Sequence, residues 1–126
     1  MAKRELGSKG DFEVIPIVNI TEKPGINFVG KMLDKGKEVK IGVYKKWVYA
    51  FELHDTDAST VVKGDDGKFT EVGVKEFDKV NIFASKLLND KLSMGNVGEV
   101  IEINYKGMTK GKAGQEYHDF LVSVVE

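Results

Sequence analysis

The chemistry open to this chain is concentrated in its lysines and aromatic rings. Between residues 31 and 46, Lys31, Lys35, Lys37, Lys40, Lys45 and Lys46 stand against only Asp34 and Glu38; between 106 and 114, Lys106, Lys110 and Lys112 stand against no acid. Tyr44 and Trp47 lie in or beside the first basic segment, and Tyr105 and Tyr117 bracket the second. A lysine supplies a point charge for a phosphate, and a ring face supplies a platform for an unstacked base, each stack being worth roughly 1 to 3 kcal/mol. Together they are what a binder of single-stranded nucleic acid requires. Arg4 is the sole arginine, so the guanidinium forks that read guanine edges are missing and little sequence specificity is expected.

Other chemistries find less support. The chain has no cysteine, which removes thiolate metal sites, disulfides and cysteine nucleophiles. His54-Asp55-Thr56-Asp57 has metal-ligand residue types, but acidic loops after strands are commonly no more than solvated, and no metal is expected there. Lys35-Gly36-Lys37 and Lys110-Gly111-Lys112 lack the spacing that wraps a phosphate at a helix start. His118-Asp119 has no serine in a nucleophile elbow to serve. No enzymatic activity and no cofactor are expected. The polar opening Met-Ala-Lys-Arg-Glu-Leu-Gly-Ser-Lys-Gly lacks the apolar run of a signal peptide, and no 18-residue apolar stretch follows, so a cytoplasmic protein that stays off membranes is expected.

The elements that must position these residues read as β-structure. The 126 residues fit one domain, and 14 Gly separate short runs rich in Val, Ile, Phe and Tyr. Residues 1–10 have no apolar periodicity and read as a flexible arm ahead of a single domain over 11–126. Residues 12–20 read as an extra strand, which Pro16 places at a sheet edge because it lacks an N–H, and the domain proper is expected to begin near Ile26. Ile26 to Leu33 is a strand bent at Gly30. After a polar loop over 34–46, Trp47, Tyr49, Phe51 and Leu53 share one strand face at period two. For Tyr49 and Phe51 that face is the core; Trp47, at its mouth, can pack or stack. Residues 54–77 form an inserted ribbon with a Gly64-Asp65-Asp66-Gly67 turn. Its net charge of −3 should repel phosphate and keep it away from the binding groove, or give it to protein contacts. Val80 to Phe83 resumes the core. Ser85 caps a helix carrying Leu87, Leu88 and Leu92, which Gly95 stops. Val97, Ile101, Ile103 and Tyr105 then share a strand face, and a last strand runs from Gln115 to Val125. Phe28, Tyr105 and Tyr117 are each open to stacking or packing, and Tyr44, with no periodicity to explain it, is the best stacking candidate.

Five antiparallel strands with one short helix between the third and fourth match the Greek-key OB-fold barrel. Over about residues 26–125 the chain resembles the OB-fold single-stranded-DNA-binding proteins of phages and related mobile elements. The likeness rests on Phe28-Val29-Gly30, Tyr49-Ala50-Phe51-Glu52-Leu53, Leu87-Leu88, the run Val97 to Gly107, and Tyr117-His118-Asp119-Phe120 after a Lys/Gly loop. The resemblance implies a protein that coats and protects single strands in DNA replication or recombination, in a host's cytoplasm if phage-encoded, alongside replication or recombination proteins. The sequence ends at Val124-Val125-Glu126 without the acidic glycine-rich tail of cellular relatives, so recruitment through such a tail is not expected. Two other readings stay open: a structural or protein-interaction module of a virion or complex that uses the acidic ribbon, and an OB-fold RNA binder.

Overall fold

The structure is a computed structural model that describes residues 15–126; the arm at 1–10 and the start of the extra strand at 12–14 lie outside the described residues. Nine strands and one helix follow in order: β1 (Ile17–Val18), β2 (Asn27–Met32), β3 (Lys37–Ile41), β4 (Tyr44–Thr56), β5 (Thr60–Lys63), β6 (Phe69–Glu71), β7 (Lys79–Ala84), α1 (Lys86–Leu92), β8 (Val100–Lys110) and β9 (Glu116–Val125). They form one open sheet in the order β6-β5-β1-β7-β4-β2-β8-β9, with β3 paired to β4. The protein is predominantly β, as expected. The closed barrel is not what forms, because among the described residues β9 ends the path and pairs only with β8, while β1 takes the far edge of β7.

Alternation sets the core. Tyr49, Phe51 and Leu53 on β4 face inward with Val80 and Ile82 on β7, Phe28 and Met32 on β2, and Ile101, Ile103 and Tyr105 on β8. The bend expected at Gly30 is present as a register shift between Val29 and Gly30 in the β2–β4 ladder. Any Cβ at Gly30 would lie 2.7 Å from the Phe28 ring and 3.0 Å from the Glu52 carbonyl oxygen, so only glycine lets the bulged strand come this close. Gly36 is needed for a similar reason, since a Cβ there would fall 2.4 Å from the Tyr49 ring.

Four expectations are corrected. The stretch 34–46 is not a loop: Lys37–Ile41 pairs with Tyr44–Val48 as a hairpin that carries β4 beyond the core. β1 is not an edge strand, because it pairs antiparallel with β5 and parallel with β7; Pro16 stands just before it and needs only its carbonyl, which accepts from Asn81 N at 2.8 Å. Val18 and Ile20 are buried with the rest, so the domain begins well before Ile26. Val97 is exposed and precedes β8.

The helix starts as expected, with Leu88 N donating to Ser85 Oγ at 3.5 Å, and it buries Leu88 and Leu92 while Leu87 stays exposed. It ends at Leu92 with Ser93 as its C-cap, two residues before Gly95, which instead lets the chain pass close to Ile101. Among the described residues no helix is long and apolar enough to cross a membrane.

Two outcomes test this packing. Phe51 is fully buried and meets Phe28 edge-on at 5.2 Å, so Phe51→Ala should cost about 3 to 5 kcal/mol in a denaturant melt. Tyr49 donates from its hydroxyl to Asn89 Oδ1 at 2.6 Å; burial, and secondly the Asp90 carboxylate, push its phenol above the usual 10.0. The fold therefore favours the neutral phenol. Its contribution is complete below pH 10 and is lost as pH rises through the higher folded value, and Tyr49→Phe should flatten the alkaline limb of a stability-versus-pH curve.

Candidate nucleic-acid interface

A groove of about 400 Å³ opens where β9 passes the β1–β7 edge of the sheet. Lys46, Phe83 and Ser85 line one side, Val61 and Phe69 the other, and His118 stands at the β9 end. Its floor is apolar, made by the core residues Val18, Ile20 and Phe120. Among the described residues, none of those lining the groove is acidic.

Register explains why Lys46 faces this way. In an antiparallel ladder, residues directly opposite share a face. The pairs Lys37↔Val48, Val39↔Lys46 and Ile41↔Tyr44 put Lys37, Tyr44 and Lys46 on one face of the β3–β4 arm, the face that continues to Phe83 through Val48↔Phe83. Tyr44 is 69% exposed near the tip of that arm. The pairs Glu38↔Trp47 and Lys40↔Lys45 put Lys40, Lys45 and Trp47 on the opposite face, where Trp47 is half-buried against the core. Two ammonium groups directly across a ladder repel, and the exposed Glu38, 3.6 Å from Lys45, partly offsets them.

The β8–β9 arm reaches the groove from the other side. Met108↔His118 and Lys110↔Glu116 place Lys110 on the His118 face, Lys112 lies in the exposed turn, and Lys106 is exposed at the bulge between Tyr105 and Gly107. His118 is held by a 2.5 Å hydrogen bond between its Nδ1 and the Tyr105 hydroxyl.

The remaining sequence candidates have other surroundings. Tyr105 is buried, with Phe120 at 5.2 Å between ring centroids, so packing is its role. Phe28 is fully buried. Tyr117 points away from His118 on β9, into a depression shared with Leu87 and Lys91 of α1. Lys31 lies directly across from Glu52 on β4. Lys35 donates to the carbonyls of Ser93, at 3.0 Å, and Gly95 just past α1, and so satisfies helix-end acceptors. His54 turns toward Glu52, with Nε2 to Oε1 at 3.4 Å, and meets the Phe77 ring edge-on. Among the described residues no three His, Asp or Glu side chains gather as a metal site would need.

Phe83, Ser85, His118 and Phe69 are the groove residues that the sequence reading missed. Alternation held the signal for Phe83: with Val80, Ile82 and Ala84 inward, residues 81 and 83 must face out. β5–β6 does pair as a hairpin, but β5 is joined to β1 and Phe69 lines the same groove as Lys46.

Comparison with protein-family models, with curated proteins and with solved structures finds no match for this chain. The Lys35 geometry yields its own test. Lys35→Ala should lower stability by roughly 0.5 to 1 kcal/mol in a thermal melt, through the lost contacts at the C-terminal end of α1, and should leave binding of any polyanion almost unchanged.

Proposed function

We propose that the protein binds single-stranded DNA with little sequence specificity, on an OB-type sheet left open at the seam between β7 and β9, and that it does so to protect single strands during replication or recombination. The observation that carries this reading is a groove with an apolar floor, lined by Lys46 from the β3–β4 arm, by His118 from the β8–β9 arm and by the partly exposed Phe83 ring, with further lysines along both arms. A single strand needs cations spaced along its backbone and a dry, flat surface for a base released from stacking; a duplex, with its bases stacked inside, uses only the first.

The opposed Lys40 and Lys45, on the face of the arm turned away from the groove, extend the cationic surface beyond it. A protein that used the β3–β4 arm for structure alone would gain from an acid at either position, whereas a bound phosphate would relieve the repulsion on contact. The roles then follow. Lys46 holds phosphate at the groove, Lys37, Lys40, Lys45, Lys110 and Lys112 attract and retain the chain along the arms, and Phe83 and Tyr44 receive bases.

Titrating the fluorescence of Trp47, the residue next to Lys46, with poly-dT, duplex DNA and RNA at two salt concentrations tests the assignment. Poly-dT should quench it, with affinity falling on a log–log plot against salt by about 0.7 per phosphate neutralised. Replacing Lys110 and Lys112 with Glu should weaken binding and flatten that slope. A response to RNA in place of poly-dT would move the assignment to RNA, and no response to any nucleic acid would leave the acidic ribbon and a protein partner as the alternative.

A further inference from the structure

We infer that the inserted ribbon lengthens the single-strand track, with Phe69 as an outer base platform; this rests on the reading of the groove as a single-strand site. The groove does not stop at Phe83. Its lining continues over Ile17 on β1 and Val61 on β5 to Phe69 on β6. From β4 to β6 the sheet path takes four interstrand steps, or roughly 19 Å, which is room for more than one nucleotide.

Phe69 is hard to explain as a structural residue. β6 has three residues, all exposed, and Phe69 itself is 60% exposed. Among the described residues it takes part in no ring–ring contact and lies outside the hydrophobic core and the side chains packed on it. A large exposed ring at the end of a groove costs solubility and gains the fold little.

Charge decides the occupant. The ribbon as a whole is acidic, yet the face it turns to the groove carries one lysine, Lys63, beside one acid, Glu71, which lies directly across from Val61. Lys63 lies directly across from Phe69, and Lys68 precedes it in the chain. Asp65 and Asp66 lie in the turn beyond, while Asp55 and Glu76 line a separate depression that Glu71 also borders. A ring directly across from an ammonium group suits a base with its neighbouring phosphate, and the acids around it discourage the chain from running further along the ribbon.

The test is a series of oligo-dT of increasing length against wild type, Phe69→Ala and Phe69→Trp, with a thermal melt of each. Because Phe69 is exposed, the melts should coincide. Phe69→Ala should bind the shortest measurable oligonucleotides like wild type, bind long ones roughly five-fold or more weakly, and show a smaller occluded site size; Phe69→Trp should restore both. Wild-type affinity and site size for Phe69→Ala at every length would overturn the extension and leave the groove reading standing. An equal loss at all lengths would also overturn it, by placing Phe69 at the centre of the site. Absence of oligo-dT binding by the wild type would overturn both readings.

Discussion

The contact on which the structure depends is the one between the Phe28 ring and the bare backbone of Gly30. The ring lies where a Cβ would be, it meets Phe51 edge-on, and β2 bulges there while keeping β4 on one side and β8 on the other. One bent central strand thus sets the direction of two long neighbours, β4 with 13 residues and β8 with 11. Both run past the core that they help to build. Their overhanging halves, folded back as β3–β4 and β8–β9, are the two basic arms, so the positions of the lysines follow from a packing constraint among apolar residues some distance away.

What could be read in the sequence, and what could not, divides along the same line. Strands whose alternation is enforced by burial were legible: Trp47 to Leu53, Ile101 to Tyr105, and the bend at Gly30 all have apolar partners that fix their phase. β3 was hidden because Lys37, Glu38 and Lys40 carry no hydrophobic signal; the strand exists because β4 offers it a ladder. β1 reads as an edge strand from the missing donor of Pro16, but that proline stands just outside the strand. Lys35 reads as a phosphate ligand because its charge is visible in sequence, and the helix end that uses that charge, 58 residues away, is not. Phe69 was overlooked for the opposite reason: net charge described the ribbon, and net charge does not say which side of a hairpin each residue faces.

Near-neutral totals can therefore coexist with a strongly polar surface. Acids and lysines are nearly equal in number here, yet they are unevenly spread: residues 31–46 and 106–114 hold nine lysines against two acids, while residues 52–78 hold eight acids against three lysines. With a screening length of about 8 Å at physiological salt, a phosphate at Lys46 responds to the arm beside it far more than to carboxylates in the ribbon turn. The acidic ribbon lowers the overall attraction for polyanions without neutralising the groove. Under the proposed function, that favours strands that can reach the groove over those that can only be held electrostatically.

The open sheet and the groove are one feature seen twice. Had β9 completed a ladder with β7, the two backbones would lie about 4.8 Å apart and leave no space between them for a ligand. Instead β1 occupies that edge of β7 with a two-residue strand, and the remaining gap to β9 is filled from below by Val18, Ile20 and Phe120. Side chains close the core there without closing the surface. The floor they make is apolar because it is also the roof of the core, and the cation at its rim, Lys46, comes from the β3–β4 arm. Under the proposed function a base rests on the first and its phosphate on the second, so the step that leaves the sheet open is also the one that makes room for the strand.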